Sequence, residues 1–233
     1  MPYRHELKFL INYADQALLR TRMGGLLKRD RHVNERGFYT VRSLYFDDYT
    51  NSAYNDKLLG DLDRQKYRMR IYNGSDSVIQ LERKNKCSSY TYKQSARISR
   101  PQAEDILQGR YNGLLRCPEP VLQVFYYEFR TKMLRPRVIV DYEREPYVMD
   151  AGTVRITFDM HVRAAMGKRD IFDDRLATVE LLDPGLLVME VKFTEFLPSI
   201  VQSALPQKAA DYTALSKYVL ACDTTMHQRH VDF

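Results

Sequence analysis

The chain has 233 residues, 44% of them apolar, and a net charge of +6 from 36 Lys and Arg against 30 Asp and Glu. That apolar fraction supports a buried core and excludes a disordered chain, and no apolar run approaches the length needed to cross a bilayer as a helix. The modest positive excess suits an anionic partner without selecting nucleic acid, a membrane surface or phosphate-rich ligands.

In chain order, 3–11 reads as a strand and 12–27 as a helix whose apolar positions fall near helical spacing until Gly24 and Gly25. A strand at 38–47 and a short helix at 51–59, stopped by Gly60, come next. Strands at 65–72, 77–85 and 89–98 follow, the first two joined by Asn73-Gly74-Ser75-Asp76, a hairpin signal. Pro101 and Pro120 each open a helix, the second running to about 132. Strands at 137–144, 154–159, 177–182 and 186–193 precede two last helices, 196–204 and 210–221. No linker, repeat or charge block interrupts the pattern, so one domain over 1–233 is expected, of the α+β class. Cys87, Cys117 and Cys222 lack paired spacing and read as free thiols. The charged start of the chain gives no secretory leader, and a cytoplasmic location is expected.

Side chains two apart on a strand share a face. Arg4, Glu6 and Lys8 share one, as do Arg64, Lys66, Arg68 and Arg70, then Gln80, Glu82, Lys84 and Lys86, then Arg155, Thr157 and Asp159, and finally Glu190 and Lys192. The opposite faces are apolar, with Leu7 and Phe9, Tyr67, Met69 and Ile71, Ile79 and Leu81, and Met189 and Val191 among them. One such strand is an ordinary half-exposed strand. Five of them, rich in guanidinium groups that match phosphate oxygens, point to a closed antiparallel β-barrel. Its charged face would turn inward and helices would cover its apolar outside. Cations lining an empty lumen repel one another, so a polyanionic ligand is implied, and deleting one lining cation should leave the melting temperature equal or higher. Lys28, Arg29 and Arg31 read as a solvated turn.

The segments Arg4-His5-Glu6-Leu7-Lys8-Phe9, Val41-Arg42-Ser43-Leu44-Tyr45-Phe46-Asp47, Arg64-Gln65-Lys66-Tyr67-Arg68-Met69-Arg70-Ile71-Tyr72, Leu81-Glu82-Arg83-Lys84 and Met189-Glu190-Val191-Lys192-Phe193 resemble the motifs of the VTC domain. This is the polyphosphate polymerase domain of the vacuolar transporter chaperone complex, within the triphosphate tunnel metalloenzymes. The resemblance implies a closed barrel with a basic lumen. Lys8, Arg68, Arg70, Lys84, Lys93, Arg144, Arg155, Lys192, Ser216 and Lys217 would hold phosphates there, with Lys8, Arg68, Arg70 and Lys84 carrying catalysis. Glu190 and Glu6 would bind Mn²⁺ or Mg²⁺. It implies transfer of the ATP γ-phosphate to a growing polyphosphate chain, no nucleic-acid partner, and a membrane-protein subunit as a candidate partner. Hydrolytic members of the wider group begin with Glu-x-Glu-x-Lys; here Arg4 stands at the first Glu, which favours the polymerase over a triphosphatase. A non-catalytic sensor of polyphosphate or inositol phosphates would keep the same cations.

Overall fold

The computed structural model describes residues 5–88, 90–167, 169–206 and 215–229. The strands are β1 (His5–Asn12), β2 (Lys28–Arg29), β3 (Tyr39–Asp47), β4 (Arg64–Tyr72), β5 (Ser75–Cys87), β6 (Tyr90–Ile98), β7 (Arg135–Met149), β8 (Val154–Ala165), β9 (Thr178–Glu180) and β10 (Leu186–Phe193). The helices are α1 (Tyr13–Gly24), α2 (Ser52–Leu59), α3 (Arg100–Leu107), α4 (Pro120–Lys132), α5 (Ser199–Ala204) and α6 (Lys217–Arg229). Local chemistry accounts for several boundaries. Asn12 and Asp15 form a reciprocal capping box at the start of α1, and Ser99 and Gln102 do the same for α3. The β4–β5 hairpin turns on Asn73 and Gly74, both at positive φ, which is what a two-residue turn between twisted strands requires.

Among the described residues all strand pairings are antiparallel, in the order β1-β10-β8-β7-β3-β4-β5-β6, with β2 added to β7 and β9 to β8. The expected closed barrel is therefore corrected: the sheet curls but stays open, with β1 and β6 as its edges. Side chains, not a backbone ladder, meet across that seam. Lys84 of β5 reaches Glu6 of β1 at 2.6 Å, and the His5 ring lies 6.3 Å from that of Tyr90. Alternation fixes which face a residue occupies, whereas closure depends on the register between two edges far apart in sequence.

The apolar faces behave as the alternation requires. Tyr67, Met69, Ile71, Ile79 and Leu81 are buried with Ile106 of α3 and Phe125 of α4 in one core. Phe9, Ile11, Phe158 and Met189 join Leu19 and Met23 of α1 and Val201 of α5 in a second. A third core was not expected. Val41, Val140 and Val162 pack against Tyr218 and Cys222 of α6 and Ala53 of α2, so these two helices occupy the sheet face opposite to α1, α3, α4 and α5. The start of α6 at Lys217 also corrects the expected 210–221 helix, of which 210–214 lies outside the described residues. Arg4 lies outside them too. Among the described residues no helix is long and apolar enough to cross a membrane.

Candidate functional site: a basic cavity in the curl of the sheet

The inward faces of β1, β3, β4, β5, β6, β7 and β10, together with Lys57 of α2 and residues 215–218, line a cavity of about 300 Å³. Eleven Lys and Arg line it (residues 8, 57, 64, 66, 68, 70, 84, 86, 144, 192 and 217) against two carboxylates, Glu6 and Glu190. Of the residues expected to act, Glu6, Lys8, Arg68, Arg70, Lys84, Arg144, Glu190, Lys192, Ser216 and Lys217 are brought together here. Lys93 and Arg155 are not. Lys93 is turned to Glu82 at 2.7 Å, and Arg155 is held by Asp30 at 2.9 Å and by the Tyr39 hydroxyl at 3.1 Å.

Four carboxylates hold the cations in place. Glu82, fully buried, accepts from Arg68 at 2.6 Å and Lys93 at 2.7 Å, with Arg70 at 3.9 Å. Asp159 takes Arg144 through two 2.7 Å bonds and Lys217 at 2.6 Å. Lys217 also donates to Glu190 at 3.2 Å, where Lys192 (2.8 Å) and Arg144 (3.5 Å) converge. Glu6 takes Lys84, and Lys8 lies between Glu6 (3.5 Å) and Glu190 (3.8 Å) while donating to the Leu215 carbonyl at 3.1 Å. Burial would raise the pKa of each glutamate. Glu6 is nevertheless held well below the usual range by Lys84 and Lys192, Glu82 by Arg68 and Arg70, and Glu190 by Lys192 and Lys217. Burial also opposes the Lys217 ammonium, but Asp159 and Glu190 raise its pKa above that of an ordinary lysine.

Arg70 is fixed without a close carboxylate, by Ser43 Oγ at 3.0 Å and the Tyr142 hydroxyl at 3.2 Å. Tyr45 is aimed at the same region. Burial disfavours its phenolate, but Arg68 and Arg70 outweigh that and lower its pKa. Neither tyrosine was legible as a site residue. The alternation did put Arg64, Lys66, Glu82, Lys86 and Asp159 on the inward face, although only the packed structure separates the lining cations from the carboxylates that hold them.

Lys66 differs from its neighbours. Among the described residues no carboxylate lies within 4 Å of it; its Nζ donates to Ser216 Oγ at 3.1 Å and sits 4.9 Å from the Tyr218 ring. Burial, followed by the charges of Lys8, Arg64, Lys84 and Lys57, pushes its ammonium down to about 7. Between about pH 7 and the unfolded value of 10.5, the unfolded chain therefore holds more protons at this residue. Its contribution to stability is complete above the unfolded value and is lost as pH falls through 7. A polyanion bound beside Lys66 would favour the charged ammonium and so restore the proton. Tripolyphosphate affinity of the wild type is thus expected to fall from pH 7 to 9, by about tenfold per unit for one linked proton, relative to Lys66→Arg, which stays charged throughout. Titration calorimetry at both pH values checks this, and the comparison cancels the ligand's own titration. Parallel pH profiles for the two proteins would contradict it.

The described residues contain no group of three or more His, Cys, Asp or Glu able to hold a metal ion. Glu6 and Glu190, which share Lys8, are a two-carboxylate donor set. An Mg²⁺-type ion held by two carboxylates would take its remaining ligands from phosphate and water, and here both carboxylates are engaged by lysines.

Solved structures share this fold at low identity. A Hippeastrum protein, described as an adenylyl cyclase candidate with a dominant triphosphatase activity, superposes with a TM-score of 0.55 at 12% identity, over 97% of both chains. A Vibrio parahaemolyticus protein described as an adenylate cyclase candidate gives 0.52 at 10% identity, over 94% of this chain and 97% of its own. A Pyrococcus horikoshii OT3 protein gives 0.50 at 15%, over 95% and 99%. No curated protein sequence matches the chain. Residues 3–226 match the family model of the VTC domain. With the inward-facing cations of its motifs gathered in one cavity, the chain belongs to the VTC domain family.

Proposed function

We propose that this chain is a divalent-metal-dependent polyphosphate polymerase that transfers the γ-phosphoryl group of ATP to the end of a phosphate chain. The observation that supports it is the excess of eleven cations over two carboxylates in one cavity, with Lys57, Lys66 and Lys86 lacking any carboxylate within 4 Å among the described residues. Such a lining suits a run of linked phosphates. In this reading a terminal phosphate oxygen of the acceptor forms a new O–P bond at the γ-phosphorus while the β–γ bridging P–O bond breaks, its electron pair leaving with ADP. Little covalent chemistry is asked of the protein, so positioning and charge neutralisation carry the rate. Arg68 and Arg70, fixed by Glu82, Ser43 and Tyr142, would face the transferring oxygens, and Lys8, Lys84, Arg144 and Lys192 would hold the chain. Glu6 and Glu190 would hold the metal ion, which supplies Lewis-acid neutralisation of phosphate oxygens.

A second reading has its own support. Glu6 and Glu190 are both taken up by lysines, an arrangement suited to a polyanion-binding module without turnover. Incubation with ATP and Mn²⁺ or Mg²⁺, with gel analysis for polyphosphate and separate assays of ADP and orthophosphate, tells these apart. ADP with lengthening polyphosphate supports the polymerase. ADP with stoichiometric orthophosphate and no polymer identifies a triphosphatase. No turnover with retained tripolyphosphate binding leaves the binding module.

A further inference from the structure

Residues 20–36 carry Arg20, Arg22, Lys28, Arg29, Arg31 and Arg36 against Asp30 and Glu35, a local net charge of +4 out of +6 for the whole chain. None of these residues lines the cavity, so this is a second concentration of positive charge in the protein. Neighbouring residues of β7 explain where it goes. Arg144 points into the cavity, so Glu145 and Tyr147 point to the opposite side of the sheet, against α1 and β2.

Glu145 is buried there and fully engaged. One oxygen accepts from Gln16 at 3.0 Å and from Arg20 Nε at 2.8 Å, the other from the Tyr147 hydroxyl at 2.7 Å and from Arg29 at 3.3 Å. The two guanidinium groups that share this carboxylate are themselves 42% and 52% exposed. Together with Thr21, Gly24, Leu27 and Tyr147 they line an open groove of about 440 Å³. One buried anion cannot neutralise two guanidiniums, so the groove keeps a net positive charge. Arg20 Nη1 has no acceptor among the described residues. Arg29 is held in place from behind as well. Gly37, at φ +86°, packs so closely that a Cβ there would lie 2.5 Å from Arg29 Nη1, and the guanidinium carbon sits 5.9 Å from the Tyr147 ring. Two oriented, half-exposed guanidiniums with spare donors are a fixed fork for phosphate oxygens.

We propose that this groove is a second anion subsite, which takes a phosphate group or a short run of linked phosphates on the outer side of β7. It backs directly onto the Arg144–Asp159 pair of the cavity through a single strand. Occupancy of the subsite does not depend on whether the cavity turns ATP over.

The test titrates the full chain calorimetrically at low ionic strength with tripolyphosphate and, separately, with orthophosphate. Wild type, Thr21→Glu, Arg20→Gln and Arg68→Ala are compared. Thr21 is exposed in α1, so Thr21→Glu sets a carboxylate in the groove without removing any side chain bonded to Glu145. The wild type is expected to show two classes of tripolyphosphate site. Thr21→Glu should weaken the lower-affinity class by about tenfold and leave the tighter one alone, whereas Arg68→Ala should do the reverse. Arg20→Gln provides the same readout if Thr21→Glu does not fold, as judged by its melting curve. Orthophosphate filling the weaker class identifies a single phosphate as sufficient; tripolyphosphate alone filling it identifies a chain. A single class of site in the wild type overturns the proposal. So does a weaker class that neither groove variant moves.

Discussion

Glu82→Ala is expected to lower stability by about 3–5 kcal/mol, the range for breaking a buried ion pair by removing one partner. Glu82 is fully buried and holds Arg68 and Lys93 within 2.7 Å, with Arg70 at 3.9 Å. Removing it leaves these three cations facing one another without the carboxylate between them. For a chain of this size, about 2–4 °C is lost per kcal/mol, so a melting temperature roughly 6–20 °C below wild type is expected. The same variant should gain more from tripolyphosphate than the wild type does, because the ligand returns negative charge to the place the carboxylate left. Thermal unfolding with and without tripolyphosphate measures both. A variant that melts with the wild type, or that gains no more from the ligand, would show that Glu82 does not organise the lining.

Arg68→Ala is expected to reduce tripolyphosphate affinity by about tenfold to a hundredfold, the loss of one charge-assisted hydrogen bond of roughly 1.5–3 kcal/mol. Its effect on the unliganded protein reverses what repulsion among the lining cations alone implies. Arg68 is the nearest partner of buried Glu82, so its removal takes away one of that carboxylate's two close cations as well as relieving repulsion. The melting temperature should therefore fall, not hold or rise. Arg175→Ala is the control: that side chain is 92% exposed, and screened long-range attraction is all it offers an anion. Calorimetric titration and melting of the two variants make the comparison. Equal losses of affinity in both would move the ligand out of the cavity.

The amino-acid sequence by itself determined most of the element types, the α+β class and, on five strands, the division into a charged and an apolar face. Arg68 and Arg70 stand opposite Tyr67, Met69 and Ile71 because period two is a local property of an extended chain. The family was legible for the same reason, since its motifs are runs of inward-facing charge on single strands. Tertiary structure decided what depends on contacts between distant segments. Whether the sheet closes rests on β1 meeting β6, and across that seam only side chains meet, His5 facing Tyr90 and Lys84 of the adjoining β5 reaching Glu6, with no backbone ladder between the edges among the described residues. Which inward cations are available to a ligand rests on their partners: Lys93 and Arg155 share the face but are turned to Glu82 and Asp30, while Lys66 donates to a serine hydroxyl and, among the described residues, has no carboxylate within 4 Å. Glu82 and Asp159 alternate in sequence like any polar strand residue, and only burial among arginines and lysines makes them the anions that hold the lining together. Pairing and burial are sums over residues far apart in the chain, and for that reason no local pattern contains them.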